Sequence, residues 1–98
     1  MPFRLIFVGI AMNELQALEV NPAHVKRYKA VRSALGKLQA NPRHPGLGTH
    51  KFASKRGENG EVVFEAYAEN NTPGAYRIFW YYGPGKDVIT ILAITPHP

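Results

Sequence analysis

The C-terminal half of the chain carries three segments whose apolar and aromatic residues recur with the spacing of β-strands. They cover residues 61–68, 75–82 and 87–94, and the short connections between them are rich in glycine, proline and asparagine. Such connections favour tight turns, so the three strands are predicted to be antiparallel neighbours. A short apolar run at 3–8 predicts a fourth, buried strand, whereas 50–53 predicts only an irregular extended piece.

A helical repeat separates the first strand from the other three. Asn21 followed by Pro22 is typical of a helix start, with an asparagine cap and a proline at the first position. Pro42 ends this helix, because proline disfavours helical geometry at the residue before it. Between them the apolar residues lie three or four positions apart and form one stripe, which consists of Val25, Tyr28, Val31, Leu35 and Leu38. A shorter helix, capped by Asn13, is predicted over 13–20.

The order of these elements decides the fold class. One strand, a helical segment and three consecutive strands cannot form a doubly wound parallel sheet. They predict an α+β fold, in which a four-stranded, mainly antiparallel sheet has two N-terminal helices packed on one face. With 98 residues, the chain has room for a single domain spanning 1–98. The last two strands are apolar on both faces, which is typical either of inner strands or of a face that a partner covers.

Composition narrows the class of protein. The chain has no cysteine, which excludes disulfides and thiolate metal sites and suits a reducing compartment. No segment has the length and apolar character of a signal peptide or a membrane span, so we expect a soluble, cytoplasmic protein without membrane contact. His44 and His50 lack acidic companions at ligand spacing, so no metal site and no cofactor are predicted.

The positive charge is concentrated in one third of the chain. The formal net charge is +5, and residues 22–56 contain no Asp or Glu. The cationic residues of this basic block are Lys26, Arg27, Lys29, Arg32, Lys37, Arg43, Lys51, Lys55 and Arg56. A polyanion such as RNA, or an acidic protein, is the partner that such a charge favours. A solvated basic helix and loop would show the same pattern.

Strand alternation places ionic and aromatic side chains on one face of the predicted sheet. Glu65 and Tyr67 share a face of their strand. In the next strand one face carries Arg77, Phe79 and Tyr81. A symmetrical hairpin would set Glu65 opposite Arg77 and Tyr67 opposite Ala75. The alternative interpretation is an exposed Glu–Arg pair that contributes less than about 1 kcal/mol to stability.

Several segments together resemble a known family. The sequence LQANPRHPGLGTHKF, followed by VFEAYA, AYRIFWYY, DVITILAI and a terminal PHP, resembles the RelE/ParE superfamily of toxins from type II toxin–antitoxin systems. The likeness covers most of the chain from about Pro22 onward, and the combination is more specific than any single segment. The resemblance implies a strand, a helical hairpin and three antiparallel strands.

The resemblance also implies site residues. Arg77 aligns with an arginine that contacts phosphate in the family, and His97 with a C-terminal histidine that is an acid–base group in some members. Lys51 stands where many members have a cation. Glu65 stands where some members have an acidic base, so the arrangement is closer to HigB or YoeB than to RelE.

We therefore expect a ribosome-associated endoribonuclease that cleaves mRNA without a metal and inhibits translation. A ribose 2′-OH of the RNA would attack the adjacent phosphate. Glu65 would be the base, His97 the acid, and Arg77 and Lys51 the cations. The residues predicted to bind RNA by charge or base stacking are Lys55, Arg56, Arg43, Tyr67, Phe79 and Tyr81.

The resemblance implies a second partner and leaves two alternatives. An acidic, partly disordered antitoxin would bind the basic surface and block it. One alternative is a ParE-like toxin that poisons DNA gyrase and does not cleave RNA. The other is a non-catalytic RNA-binding domain on the same fold.

Overall fold

The computed structural model of the chain describes residues 2–70 and 73–97. The strands are β1 (Arg4–Phe7), β2 (His50–Arg56), β3 (Val62–Tyr67), β4 (Tyr76–Tyr82) and β5 (Val88–Pro96). The helices are α1 (Gly9–Val20) and α2 (Val25–Ala40), and short 3₁₀ turns cover Pro22–His24 and Pro45–Leu47. None of the helices in these residues is long and apolar enough to cross a lipid bilayer.

The strands form one five-stranded sheet in the order β1-β5-β4-β3-β2. β1 runs parallel to β5, and the other neighbours are antiparallel. The predicted α+β class is confirmed, but the prediction of four mainly antiparallel strands is wrong. The additional strand is β2, which was predicted only as an irregular piece because its residues are mostly polar. In the structure most of them are exposed. Pairing with β3 satisfies its backbone groups, which a polarity pattern does not reveal.

The two helices begin and end for local reasons that the sequence shows in part. The Asn21 side chain accepts a hydrogen bond from the backbone of Ala23 and caps the turn before α2, as predicted. The backbone N–H of Asn41 closes the last turn on Lys37, before Pro42. In contrast, α1 begins at Gly9 rather than at Asn13, and no side chain caps it. The prediction missed residues 9–12 of this helix, because no capping side chain marks its start.

Both helices pack on one face of the sheet, here called the helix face, so this part of the prediction is confirmed. α2 contributes Val31 and Leu38 to the core, and α1 contributes Leu18. The sheet supplies buried residues of β3, β4 and β5, namely Ala66, Ile78, Trp80, Ile89, Ile91 and Ile94. An irregularity in the β4–β5 pairing separates Ile91 from Ile94 by three positions. Burial of this apolar surface is the main favourable contribution to folding.

The opposite face, here called the open face, has a second and smaller apolar cluster. Val63, Phe79 and Ala93 are buried there, with Phe52 and Leu92 packed against them. The rings of Phe52 and Phe79 lie 4.9 Å apart with an edge-on geometry. Since β4 and β5 occupy inner positions of the sheet, their apolar character on both faces reflects inner strands.

Candidate active site

A carboxylate lies buried at the centre of the open face. The Glu65 side chain in β3 is only 1% exposed, and its Oε1 is 3.0 Å from Nε2 of His50. Its Oε2 is hydrogen-bonded to Nδ1 of His97 and lies 3.7 Å from Nε of Arg77. A buried carboxylate is tolerated only when hydrogen bonds and opposite charge compensate for its lost hydration. These four residues, here called the Glu65 cluster, meet that condition.

Three strands and the C-terminal segment bring the cluster together. His50 pairs directly with Glu65 in the β2–β3 ladder, so the two side chains leave the sheet on the same face. Arg77 pairs with Thr95 of β5. Two residues beyond Thr95, His97 follows the end of that strand and reaches the same carboxylate. The cluster therefore joins parts of the chain that are far apart in sequence.

Arg77 is held by the backbone and by an aromatic ring. Its Nη1 donates to the carbonyl oxygens of Glu69, at 2.8 Å, and Tyr76, at 3.3 Å. Its guanidinium carbon lies 4.1 Å from the ring centroid of Tyr67, a cation–π contact. The Nε atom makes no hydrogen bond, so its interaction with Glu65 is one of charge across 3.7 Å.

The hairpin register differs from the predicted one. Glu65 lies opposite Phe79, and Tyr67 lies opposite Arg77. The loop does not close symmetrically, because the N–H groups of both Ala68 and Glu69 donate to Tyr76. The shift leaves every side chain on its predicted face, and the long side chain of Arg77 reaches the carboxylate diagonally.

The histidines are the accessible part of the cluster. The side chains of His50 and His97 are 46% and 53% exposed, whereas that of Arg77 is 15% exposed. A molecule approaching the open face therefore meets the two imidazoles before the carboxylate. The carboxylate itself lies beneath these partners, and the role of Glu65 as base stays a prediction.

Metal binding has no support from this arrangement. Within residues 2–70 and 73–97, no group of three or more histidine or acidic side chains is placed so as to hold a metal ion. His50 and His97 instead contact different oxygens of one carboxylate. Hydrogen bonding and proton exchange are the chemistry that the cluster supports.

Solved structures with a similar architecture include toxins and toxin–antitoxin complexes. The RelE–RelB complex from Pyrococcus horikoshii OT3 matches with a TM-score of 0.65 and 20% identity over 98% of this chain and 96% of that chain. A YoeB/ParE toxin from Agrobacterium tumefaciens gives 0.69 and 9% over 97% and 99%. The RelBE2 complex from Mycobacterium tuberculosis gives 0.60 and 20% over 99% and 100%. The chain has the RelE/ParE fold.

The sequence comparisons add nothing to this likeness. No protein-family model matches the chain, and no curated protein matches its sequence. The fold that the resemblance implied is thus confirmed by structure, at identities of 20% or less in these three solved structures.

Within the RelE/ParE fold, Lys51 does not join the cluster. It pairs with Phe64, the residue before Glu65, so its side chain leaves β2 on the opposite side of the sheet. The predicted convergence of Lys51 with the other three groups is therefore wrong. Lys55 is the cation of β2 that reaches the open face, with its Nζ 6.0 Å from the Phe79 ring.

Two of the aromatic residues predicted to stack on bases are covered. Phe79 is 2% exposed and Tyr81 is 8% exposed, so neither ring has a free face for a base. Phe79 belongs instead to the small apolar cluster beneath Phe52. Tyr67 remains partly exposed, with Arg77 over its ring.

The remaining predicted RNA-binding cations lie at different places on the RelE/ParE fold. Arg43 is exposed and lines a groove of about 560 Å³ with Phe64 and Trp80, which belong to the helix face. Arg43 therefore lies beside the helix face, whereas the Glu65 cluster lies on the open face. Arg56 is exposed at the end of β2, where it pairs with Val62.

His50 is the functional candidate that the sequence analysis missed. It was considered only as a metal ligand beside the loop that follows α2, at the start of the extended piece predicted over 50–53. The signal was its position two residues before Phe52, because alternation in a strand would place both side chains on one face. Recognising β2 as a strand would have paired His50 with the β3 residues of the open face.

Proposed function

We propose that this chain is the toxin of a type II toxin–antitoxin system and acts in the cytoplasm as an endoribonuclease on mRNA at the ribosome. The observation that carries the proposal is the Glu65 cluster, in which a proton-exchanging imidazole, an orienting carboxylate and a guanidinium meet on the open face. The likeness to RelE and YoeB structures supports the biological class.

The cluster fits cleavage by the neighbouring ribose hydroxyl. The 2′ oxygen attacks the adjacent phosphorus and gives up its proton, a 2′,3′-cyclic phosphate forms, and the 5′ oxygen leaves after gaining a proton. His97 is the exposed group that exchanges these protons, since imidazole can both accept and donate near neutral pH. Glu65 holds the ring through Nδ1. Arg77 stabilises the negative charge that develops on the phosphate.

RNA approaches over the cationic residues at the side of the open face. Lys55 is exposed in β2 and reaches the open face, and Tyr67 offers a partly exposed ring beside Arg77. Arg56 pairs with Val62 and so leaves β2 on the helix face. Phosphate contacts of this kind supply affinity without sequence preference, and affinity falls steeply with salt. Recognition of particular codons is therefore left to the ribosome and its message.

An acidic antitoxin is the second partner in this proposal. Two of the similar structures are complexes, RelE with RelB and RelBE2. The net charge of +5 favours a partner that is acidic and partly disordered before it binds. An antitoxin that covers the open face would hide both imidazoles and thus inhibit the toxin by occlusion.

The test uses the purified full chain, free of antitoxin, with translating ribosomes and toeprinting of the message. Wild type is expected to cut mRNA. His97→Gln keeps a hydrogen-bond donor but cannot exchange protons, so it should lower the rate by about 100-fold or more. Because His97 is half exposed, the melting temperature of the variant should be close to that of wild type. His24→Gln, the same change at a histidine of the turn before α2 that does not belong to the Glu65 cluster, should cut like wild type.

Intact mRNA with folded wild type on active ribosomes would reject the nuclease proposal. A gyrase-poisoning toxin is the second candidate, because one of the similar structures is described as a YoeB/ParE toxin. DNA damage without loss of mRNA would decide for it. Tight RNA binding without cleavage products would instead indicate the non-catalytic domain.

A further inference from the structure

The hydrogen bonds of His50 determine where its protons lie. Its Nδ1 is 3.0 Å from the carbonyl oxygen of Gly48. A carbonyl oxygen only accepts, so Nδ1 must carry a hydrogen and donate it. Its Nε2 is 3.0 Å from Oε1 of Glu65. A proton must also lie between these two atoms, either on Nε2 as an imidazolium or on the carboxyl as a neutral acid.

His97 differs from His50 in having a free nitrogen. Its Nδ1 is bonded to the second oxygen of the same carboxylate, while its Nε2 has no hydrogen-bond partner among residues 2–70 and 73–97. More than half of its side chain is exposed, at 53%. The three groups form a line that begins at the Gly48 carbonyl and ends at Nε2 of His97. The hydrogen on Nδ1 of His50 thus lies at one end of the line, and Nε2 of His97 lies at the other.

We propose that His50 is a positioning residue of the site: its proton neutralises the buried Glu65 carboxylate, which in turn fixes the ring orientation and proton occupancy of His97. The inference rests on the proposed function, because it assigns His50 a part in the same reaction. His50 itself does not touch RNA through nitrogen, since both of its ring nitrogens are occupied. Its influence passes through Glu65.

The surroundings of the carboxylate make His50 the main source of this control. The groups that face Glu65 are His50 from β2, Arg77 from β4 and His97 after β5, with Tyr67 of its own strand against Arg77 and His50. Arg77 keeps its charge at every working pH and makes no hydrogen bond to the carboxylate through Nε. In the described residues the hydrogen-bond partners of Oε1 and Oε2 are the imidazoles of His50 and His97, and imidazole is a group that exchanges protons.

The experiment follows the proton on His97 directly. Side-chain ¹⁵N NMR of the full chain, from about pH 5 to about pH 9, resolves the protonation of each imidazole nitrogen. His50→Gln retains a donor toward Glu65 but removes the positive charge. Without this nearby positive charge, the proton between Glu65 and His97 should be released only at a higher pH. We expect the His97 titration to move upward by about 0.5 to 1 pH unit.

The pH–rate profile of RNA cleavage gives the second measurement. In His50→Gln the acid limb should move to higher pH by the same amount. His50→Ala removes the hydrogen bond as well, so its plateau should fall by about tenfold, and Gln should restore most of that loss. His24→Gln is the matched control and should leave both measurements unchanged.

The outcomes separate this inference from the proposed function. Superimposable His97 titrations in wild type and His50→Gln would overturn the inference, even if the protein cleaves RNA. A shifted titration in a protein that cleaves no RNA would reject the nuclease proposal and retain the coupling of His50 to His97. Loss of the folded NMR spectrum in His50→Gln would show that the residue is structural and would also overturn it.

Discussion

Phe79 and Trp80 are neighbours in β4, yet they contact different parts of the molecule. Trp80 lies on the helix face, stacked 4.9 Å from the Phe64 ring and packed against the main core. Phe79 lies on the open face, in a small cluster beside the Glu65 cluster. Strand alternation thus separates two tasks along one strand. The helix face provides most of the stability, and the open face carries a buried charge beside a smaller apolar cluster.

The largest expected effect is on the helix face. Trp80→Ala removes a buried indole from the main core, where two helices and a sheet limit collapse of the cavity. The free energy of unfolding should fall by about 4 to 5 kcal/mol, which would leave a domain of this size barely folded. Urea denaturation followed by circular dichroism measures it. Val20→Ala, an exposed position in α1, serves as control and should change stability by about 0.5 kcal/mol or less.

Phe79→Ala should have a smaller effect, because the residues packed against its cluster, Phe52 and Leu92, are only partly buried and the cavity can partly collapse. We expect a loss of about 3 kcal/mol in the same urea experiment. A loss equal to or above that of Trp80→Ala would contradict the division between a stabilising face and a chemical face.

Glu65→Leu tests whether the buried cluster contributes to stability at all. Removing one partner of a buried ion pair is strongly destabilising when the charge left behind has no compensation. In Glu65→Leu, Arg77 keeps its hydrogen bonds to the carbonyl oxygens of Glu69 and Tyr76. His50 and His97 are half exposed and can be hydrated once the carboxylate is gone. The free energy of unfolding should therefore stay within about 1 kcal/mol of wild type, while RNA cleavage is lost. A drop of more than about 2 kcal/mol would show that the cluster holds the open face together.

The smallest effect is expected for an ion pair at the rim of the helix face. Arg27 of α2 lies 2.9 Å from Glu69 and 4.6 Å from the Tyr76 ring centroid. Because the pair is partly exposed, Arg27→Ala should cost about 1 kcal/mol or less. Lys26→Ala, an exposed neighbour in the same helix, is the control. A change larger than that of Phe79→Ala would show that rim contacts rival the core.

The same comparison explains how much of the molecule the sequence predicts. Alternation alone placed Glu65, Tyr67, Arg77 and Phe79 on one face, because a period of two residues is a property of any strand. It did not predict that Phe79 would be covered, since Phe52 lies in β2, a strand held by pairing rather than by an apolar pattern.

The hairpin register and the role of His50 needed coordinates for another reason. The loop between β3 and β4 closes through two N–H groups on one carbonyl oxygen of Tyr76, a detail that turn composition does not specify. The partners of the Glu65 carboxylate come from three other segments of the chain. Long-range pairings of this kind depend on the whole topology, so local sequence signals cannot determine them.

β2 has a consequence for how the protein behaves at high concentration. This strand ends the sheet, so its outer backbone groups are available to a strand from another molecule. Lys51, Lys55 and Arg56 are spread along it, and a second copy aligned there would bring like charges side by side. This repulsion disfavours fibril growth by addition of further copies to the edge. An acidic strand of a different protein would be attracted to the same edge.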